Sequence, residues 1–127
     1  MDGLRVLIVD DEEELVSALV ERLNLRGFEA SGVTNGADAI AHLEGEPCDV
    51  VLLDVKMPEI GGLEVIKRIK AQRPELHVIL LTGHGSAHDV EKGMALGAFD
   101  YLMKPVDIDV LVRTLLSATE GAGEGES

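Results

Sequence analysis

The chain has 127 residues, of which 46% are hydrophobic and only 2% aromatic, and its formal charge is −13. This length supports one domain with a single core and no disulfide or metal staple, and the scarcity of aromatics calls for a core of Leu, Val, Ile and Ala. The negative charge and the lack of a basic run argue against direct binding to DNA or RNA, which needs a clustered positive surface, and favour a cation or a basic partner.

The first apolar run, Leu4 to Val9, reads as a strand and ends on Asp10 and Asp11. A helix follows with Leu15, Leu19 and Leu23 at helical spacing, and Gly27 can end it. Phe28 to Val33 is the second strand. Asn35 can cap a second helix marked by Ala37, Ile40 and Leu43. Val50 to Leu53 forms the third strand and ends on Asp54. The third helix carries Leu63, Ile66 and Ile69, with Pro74 beyond it. Val78 to Leu81 is the fourth strand and leads to Thr82. Ser86 can cap a fourth helix with Ala87, Val90 and Met94, and Gly97 follows it. The fifth strand, Phe99 to Met103, leads to Lys104-Pro105, and Ile108, Leu111 and Leu115 mark the last helix. Five βα units imply an α/β fold, a parallel sheet with helices on both faces and right-handed crossovers.

The expected domain covers residues 1–120, and the Gly- and Glu-rich stretch 121–127 reads as a flexible tail or the start of a linker. The single Cys48 cannot form an intramolecular disulfide and reads as a packing residue. The opening MDGLRVLIVDD lacks the marks of a secretory signal, which makes the cytoplasm the expected compartment. No apolar run approaches the roughly 18 residues of a membrane span.

Open parallel sheets bind ligands beyond the carboxyl ends of their strands. In this chain those ends carry Asp10, Asp11, Asp54, Thr82 and Lys104. Each has an ordinary explanation by itself. Acids after strand one can serve the start of a helix, Asp54 can begin a turn, Thr82 can end a strand, and Lys104 can be surface charge. For Glu12, Glu13 and Glu14 the helix-start explanation is preferred. Asp10, Asp11 and Asp54 differ because three carboxylates at adjoining strand ends repel one another unless protonated or neutralised. Mg2+ suits such a set, since it takes hard oxygen ligands and phosphate oxygens together. His42, His77, His84 and His88 make no zinc spacing with Cys48. A carboxylate can attack phosphorus to form an acyl phosphate, with a hydroxyl and an ammonium on the phosphoryl oxygens. Pro105 can simply open the last helix, whereas a cis Lys104-Pro105 bond would aim Lys104 into the pocket.

Through VLIVDDE, VVLLDVKMPEIGGLEVIKRIK and VILLTGHGSAHDVEKGMALGAFDYLMKP, the chain resembles the receiver domains of bacterial two-component response regulators. The ordered set of the acidic pair, Asp54 with Met57-Pro58 and Gly62, Thr82, and Lys104-Pro105 carries the likeness. It implies a doubly wound, flavodoxin-like sheet of order 2-1-3-4-5 with five helices. It also implies a signalling switch that is not a conventional enzyme: a sensor histidine kinase or phosphotransfer protein donates phosphate, Asp54 receives it, and slow self-dephosphorylation resets it. Asp11, Asp54 and the backbone carbonyl of Lys56 would ligate Mg2+ directly, and Asp10 through a coordinated water. Thr82 and Lys104 would hold phosphoryl oxygens. Thr82 and Tyr101 would form the switch, although Tyr101 also reads as a partly buried strand residue with its hydroxyl at the surface. Lys56 and His84 occupy positions that can tune phosphate lifetime. The output face would be the fourth helix, fifth strand and fifth helix, read by an output domain or protein, with phosphorylation-dependent homodimerisation as a further expectation. The LTGHG and GAFDYLMKP segments resemble those of receivers attached to nitrogen-regulation-type transcriptional activators.

Overall fold

A computed structural model describes residues 3–83 and 87–124, with side chains described up to residue 119. The strands β1 (Arg5–Val9), β2 (Glu29–Val33), β3 (Val50–Asp54), β4 (His77–Thr82) and β5 (Asp100–Met103) alternate with five helices. These are α1 (Glu13–Leu25), α2 (Gly36–Gly45), α3 (Gly62–Gln72), α4 (Ala87–Ala95) and α5 (Ile108–Glu124). All strand pairs are parallel and the sheet order is β2-β1-β3-β4-β5, as the resemblance implies.

Continuous apolar strands are explained by two cores, one on each face of the sheet. Because side chains alternate along a strand, Leu7, Val9, Val51, Leu53, Val78 and Leu80 face one way, onto Ala39 and Leu43 of α2 and Val65, Ile66 and Ile69 of α3. Val6, Ile8, Val50, Leu52, Ile79 and Leu81 face the other way, onto Val16, Leu19 and Leu23 of α1 and Leu111, Leu115 and Ala118 of α5. Burying each such side chain contributes about 1.5–3 kcal/mol, so the three central strands fix the frame on which the strand ends are mounted.

Local signals account for the boundaries. Asn35 Oδ1 accepts the amide of Asp38 at 2.8 Å and caps α2. Gly27 and Gly97 take φ of 94° and 111°, the left-handed conformation that ends α1 and α4. Several details depart from the sequence pattern. In α2 the buried stripe is Gly36, Ala39 and Leu43, and Ala37 is exposed. In α4 the buried residue is Gly93, while Ala87 and Met94 are exposed. In both helices the apolar residues are spread over more than one face, and in α4 it is the glycine that makes the close approach. β2 lies at the sheet edge and none of its residues is fully buried. The last helix, α5, runs through Glu124. Among the residues whose side chains are described, Ala118 is its last buried anchor, and no proline or positive-φ glycine among the described residues stops it there.

Gly62 ties this frame to the end of β3. A Cβ at this position would lie 2.3 Å from the backbone oxygen of Asp54 and 2.7 Å from Val55 Cα, so the first turn of α3 can seat only a glycine against that strand end. Gly62→Ala must displace backbone, not merely a flexible side chain. The expected result is a loss of about 2–3 kcal/mol in urea unfolding, in the range of overpacked cores. An unchanged midpoint would show that the close approach is dispensable.

Candidate functional site

Four strand ends meet at one edge of the sheet. Asp10 follows β1, where its amide donates to Val33 O at 3.3 Å, and its side chain is fully buried. Its Oδ1 accepts the amide of Glu12 at 2.9 Å, which turns the chain into α1. Asp54 closes β3 in register with Leu81 and is 5% exposed. Its Oδ1 accepts the amide of Lys56 at 3.3 Å. Thr82 closes β4, buried, with Oγ1 donating to Gly83 O at 3.2 Å. The amide of Lys104 donates to Thr82 O at 2.8 Å, which carries the β4–β5 pairing one residue past Met103. The Lys104-Pro105 peptide is cis.

Carboxylate oxygens of Asp10, Asp11 and Asp54 lie within 4.8 Å of one another. Lys104 Nζ enters this cluster, 2.7 Å from Asp10 Oδ2, 2.8 Å from Glu12 Oε1 and 3.6 Å from Asp54 Oδ2. Buried Asp10 Oδ2 is met by the Lys104 ammonium as an ion pair, and no other donor reaches it among the described residues. Burial, and then the charge of Asp10, push the Asp54 carboxyl up to about 6, against the pull of Lys104 and the Lys56 amide. Burial alone would lower the Lys104 ammonium. Its contacts with Asp10 and Glu12 outweigh that and raise it, so it stays charged.

This donor set fits a small hard cation. All its ligand atoms are carboxylate oxygens, one is buried with only Lys104 beside it, and a single ammonium does not balance the negative charge. Asp11 is exposed, which leaves one side of the cluster open to an entering ion or phosphoryl group.

The sequence-derived residues Asp10, Asp11, Asp54, Thr82 and Lys104 therefore all sit at these strand ends. Tyr101 lies farther back on β5 and is 44% exposed, with its side chain turned out. Lys56 is exposed, and its Nζ is 4.0 Å from Asp89 Oδ2 on α4. His84 lies outside the described residues, as does the expected cap Ser86. Glu12 was missed. Read as a helix-start acid, it occupies the N-cap position of α1 but makes no side-chain cap hydrogen bond, and its carboxylate holds Lys104 instead. An acid directly after an acidic pair at a strand end was the available signal. Asp89 left no such signal.

A family model described as the response regulator receiver domain matches residues 6–116. The chain is 37% identical over 115 residues to the transcriptional regulatory protein TcrA of Mycobacterium tuberculosis, a match covering 91% of this chain and 46% of that protein. It is 38% identical over 122 residues to the sensory transduction protein RegX3 of Mycobacterium bovis, covering 96% of this chain and 53% of that protein. The chain thus spans about half the length of these curated relatives. Among solved structures, a CheY-like receiver domain protein from Methanospirillum hungatei superposes with a TM-score of 0.92 at 26% identity, covering 98% of this chain and 99% of that one.

Proposed function

Because the chain belongs to the response regulator receiver family, we propose that it accepts a phosphoryl group on Asp54 from the phosphohistidine of a sensor histidine kinase or phosphotransfer protein. Receivers of two-component systems are phosphorylatable signalling switches, not classical enzymes, and they generally bind Mg2+ in an acidic pocket. The observation that supports Asp54 as the acceptor is its place among the converged strand ends, with Lys104 Nζ at 3.6 Å and carboxylate oxygens of Asp10 and Asp11 within 4.8 Å.

Asp54 supplies the attacking oxygen, and with its carboxyl at about 6 it is mostly ionised near neutrality. An O–P bond forms as the donor's N–P bond breaks, and the electron pair leaves on the imidazole nitrogen. Asp11, Asp54 and the Lys56 backbone carbonyl would hold Mg2+ directly, with Asp10 acting through a water. Bound there, the ion neutralises phosphoryl charge and favours in-line transfer. Lys104 supplies a mobile cation for one phosphoryl oxygen, and Thr82 leaves Gly83 O to donate its hydroxyl to another.

As Thr82 moves, Tyr101 turns inward and the face formed by α4, β5 and α5 changes. Exposed Met94, Tyr101, Met103 and Val110 on that face suit an apolar contact with an output domain, an output protein or a second phosphorylated copy. Lys56, and His84 beyond the described residues, tune the lifetime of the acyl phosphate. Residues 1–120 act as the receiver, and 121–127, whose first four residues continue α5, serve as a C-terminal tail or the start of a linker. The chain works in the cytoplasm and makes no direct nucleic-acid contact of its own. Among the described residues, no helix is long and apolar enough to cross a membrane.

Incubation with acetyl phosphate and Mg2+, followed by intact-mass measurement and peptide mapping, is expected to find one phosphoryl group, on Asp54, and none once the metal is chelated. Labelling elsewhere, or labelling indifferent to chelation, would overturn the assignment.

A further inference from the structure

Glu12 has no part in the transfer outlined above, yet it makes one of the two short contacts of Lys104. We infer that Glu12 is a positioning residue for phosphotransfer: it holds the Lys104 ammonium off Asp54 until a phosphoryl group takes its place. This rests on the reading of Asp54 as acceptor. The three distances from Lys104 Nζ are unequal, 2.7 Å to Asp10, 2.8 Å to Glu12 and 3.6 Å to Asp54. The ammonium is thus held back from the residue on which the phosphoryl group it serves is to be placed.

The backbone shows why Glu12 can do this. It sits at the N-cap of α1 with φ −85° and ψ 97°, where a shorter side chain would turn back onto the helix amides. Its own carboxylate instead spans the mouth of the site to a lysine 92 residues away in sequence. Burial separates the two holders of Lys104. The Asp10 side chain is wholly inaccessible and cannot be rehydrated, whereas that of Glu12 is 61% exposed and exchanges the ammonium for water at little cost. Asp10 therefore acts as the pivot and Glu12 as the release. While bound, Glu12 also adds negative charge at the entrance used by an anionic phosphodonor. Both effects slow transfer, so removing the charge speeds it.

Glu12→Gln is expected to raise the initial rate of Asp54 labelling by acetyl phosphate and Mg2+ by about two- to fivefold, the scale of an exposed ion pair. Glu12→Asp keeps the charge but withdraws its reach and should fall between. Glu13→Gln removes the same charge one residue later, from a side chain with no ion pair among the described residues, and should leave the rate unchanged. Equal acceleration by Glu13→Gln would reduce the effect to general charge and overturn the inference, as would a Glu12→Gln rate that is unchanged or slower. The Lys104 ammonium can also be followed by nitrogen NMR without phosphate or metal. Glu12→Gln should increase its mobility, and an unaltered signal also overturns the inference. A parent protein that takes up no phosphate would sink the Asp54 reading, while the ammonium signal would still decide the role of Glu12.

Discussion

Asp54→Asn is expected to abolish phosphoryl uptake and at the same time to make the protein harder to unfold at neutral pH. The first effect follows from loss of the attacking carboxylate. The second follows from the position of Asp54, since burial and the charge of Asp10 raise its carboxyl from 3.8 to about 6. The folded protein then binds a proton more readily than the unfolded chain between about pH 4 and 6. Stability from this group is therefore greatest below about pH 4, falls as pH rises through about 6, and stays low above it. The ionised carboxylate costs the folded state on the order of 2–3 kcal/mol. The amide carries no such charge. In metal-free buffer at pH 7.5 the variant should gain about 2 kcal/mol in urea unfolding, with the gap closing toward pH 4. Coincident unfolding curves at pH 7.5 would mean that the cluster is already neutralised. Mg2+ should narrow the gap by stabilising the parent through mass action.

Lys104→Ala is expected to have the opposite sign. The Asp10 side chain is wholly buried, and its Oδ2 has Lys104 as its ion-pair partner among the described residues, at 2.7 Å. Removing one member of a buried pair leaves an uncompensated charge, and a loss of about 3 kcal/mol follows. The Asp54 carboxyl should rise further, since Lys104 is among the groups that lower it. Adding Asp10→Asn to Lys104→Ala should recover much of the lost stability, because the orphaned charge disappears with it. If the double variant unfolds as easily as Lys104→Ala, the cost lies in packing of the lysine stem, not in electrostatics.

The frame of this site was legible because both sheet faces are covered. Runs such as Val50 to Leu53 and Val78 to Leu81 can hardly be anything other than central strands once helical patterns alternate with them. Their ends then brought Asp10, Asp54, Thr82 and Lys104 together by topology alone. What the sequence concealed was decided by close approach and by contacts far apart along the chain. The buried side of α4 is a glycine, which no search for large apolar residues finds. Glu12 lies beside helix-start acids of the same type, and only the arrival of Lys104 from beyond β5 distinguishes it. The pairing of Lys56 with Asp89 likewise depends on where α4 settles.

The seat of α4 has a further consequence. Gly93 rests against Leu80, and a Cβ there would meet the leucine's Cδ1 at 2.4 Å, so α4 reaches the sheet through a residue with no side chain. In hydrogen-exchange terms, such a helix forms a separate opening unit. Its amides can be released while α1 and α5, each anchored by three buried residues, stay closed. The helix seated on Leu80 is thus the one whose fully buried residue carries no side chain, and its dwell time on the sheet can be reset without melting the domain.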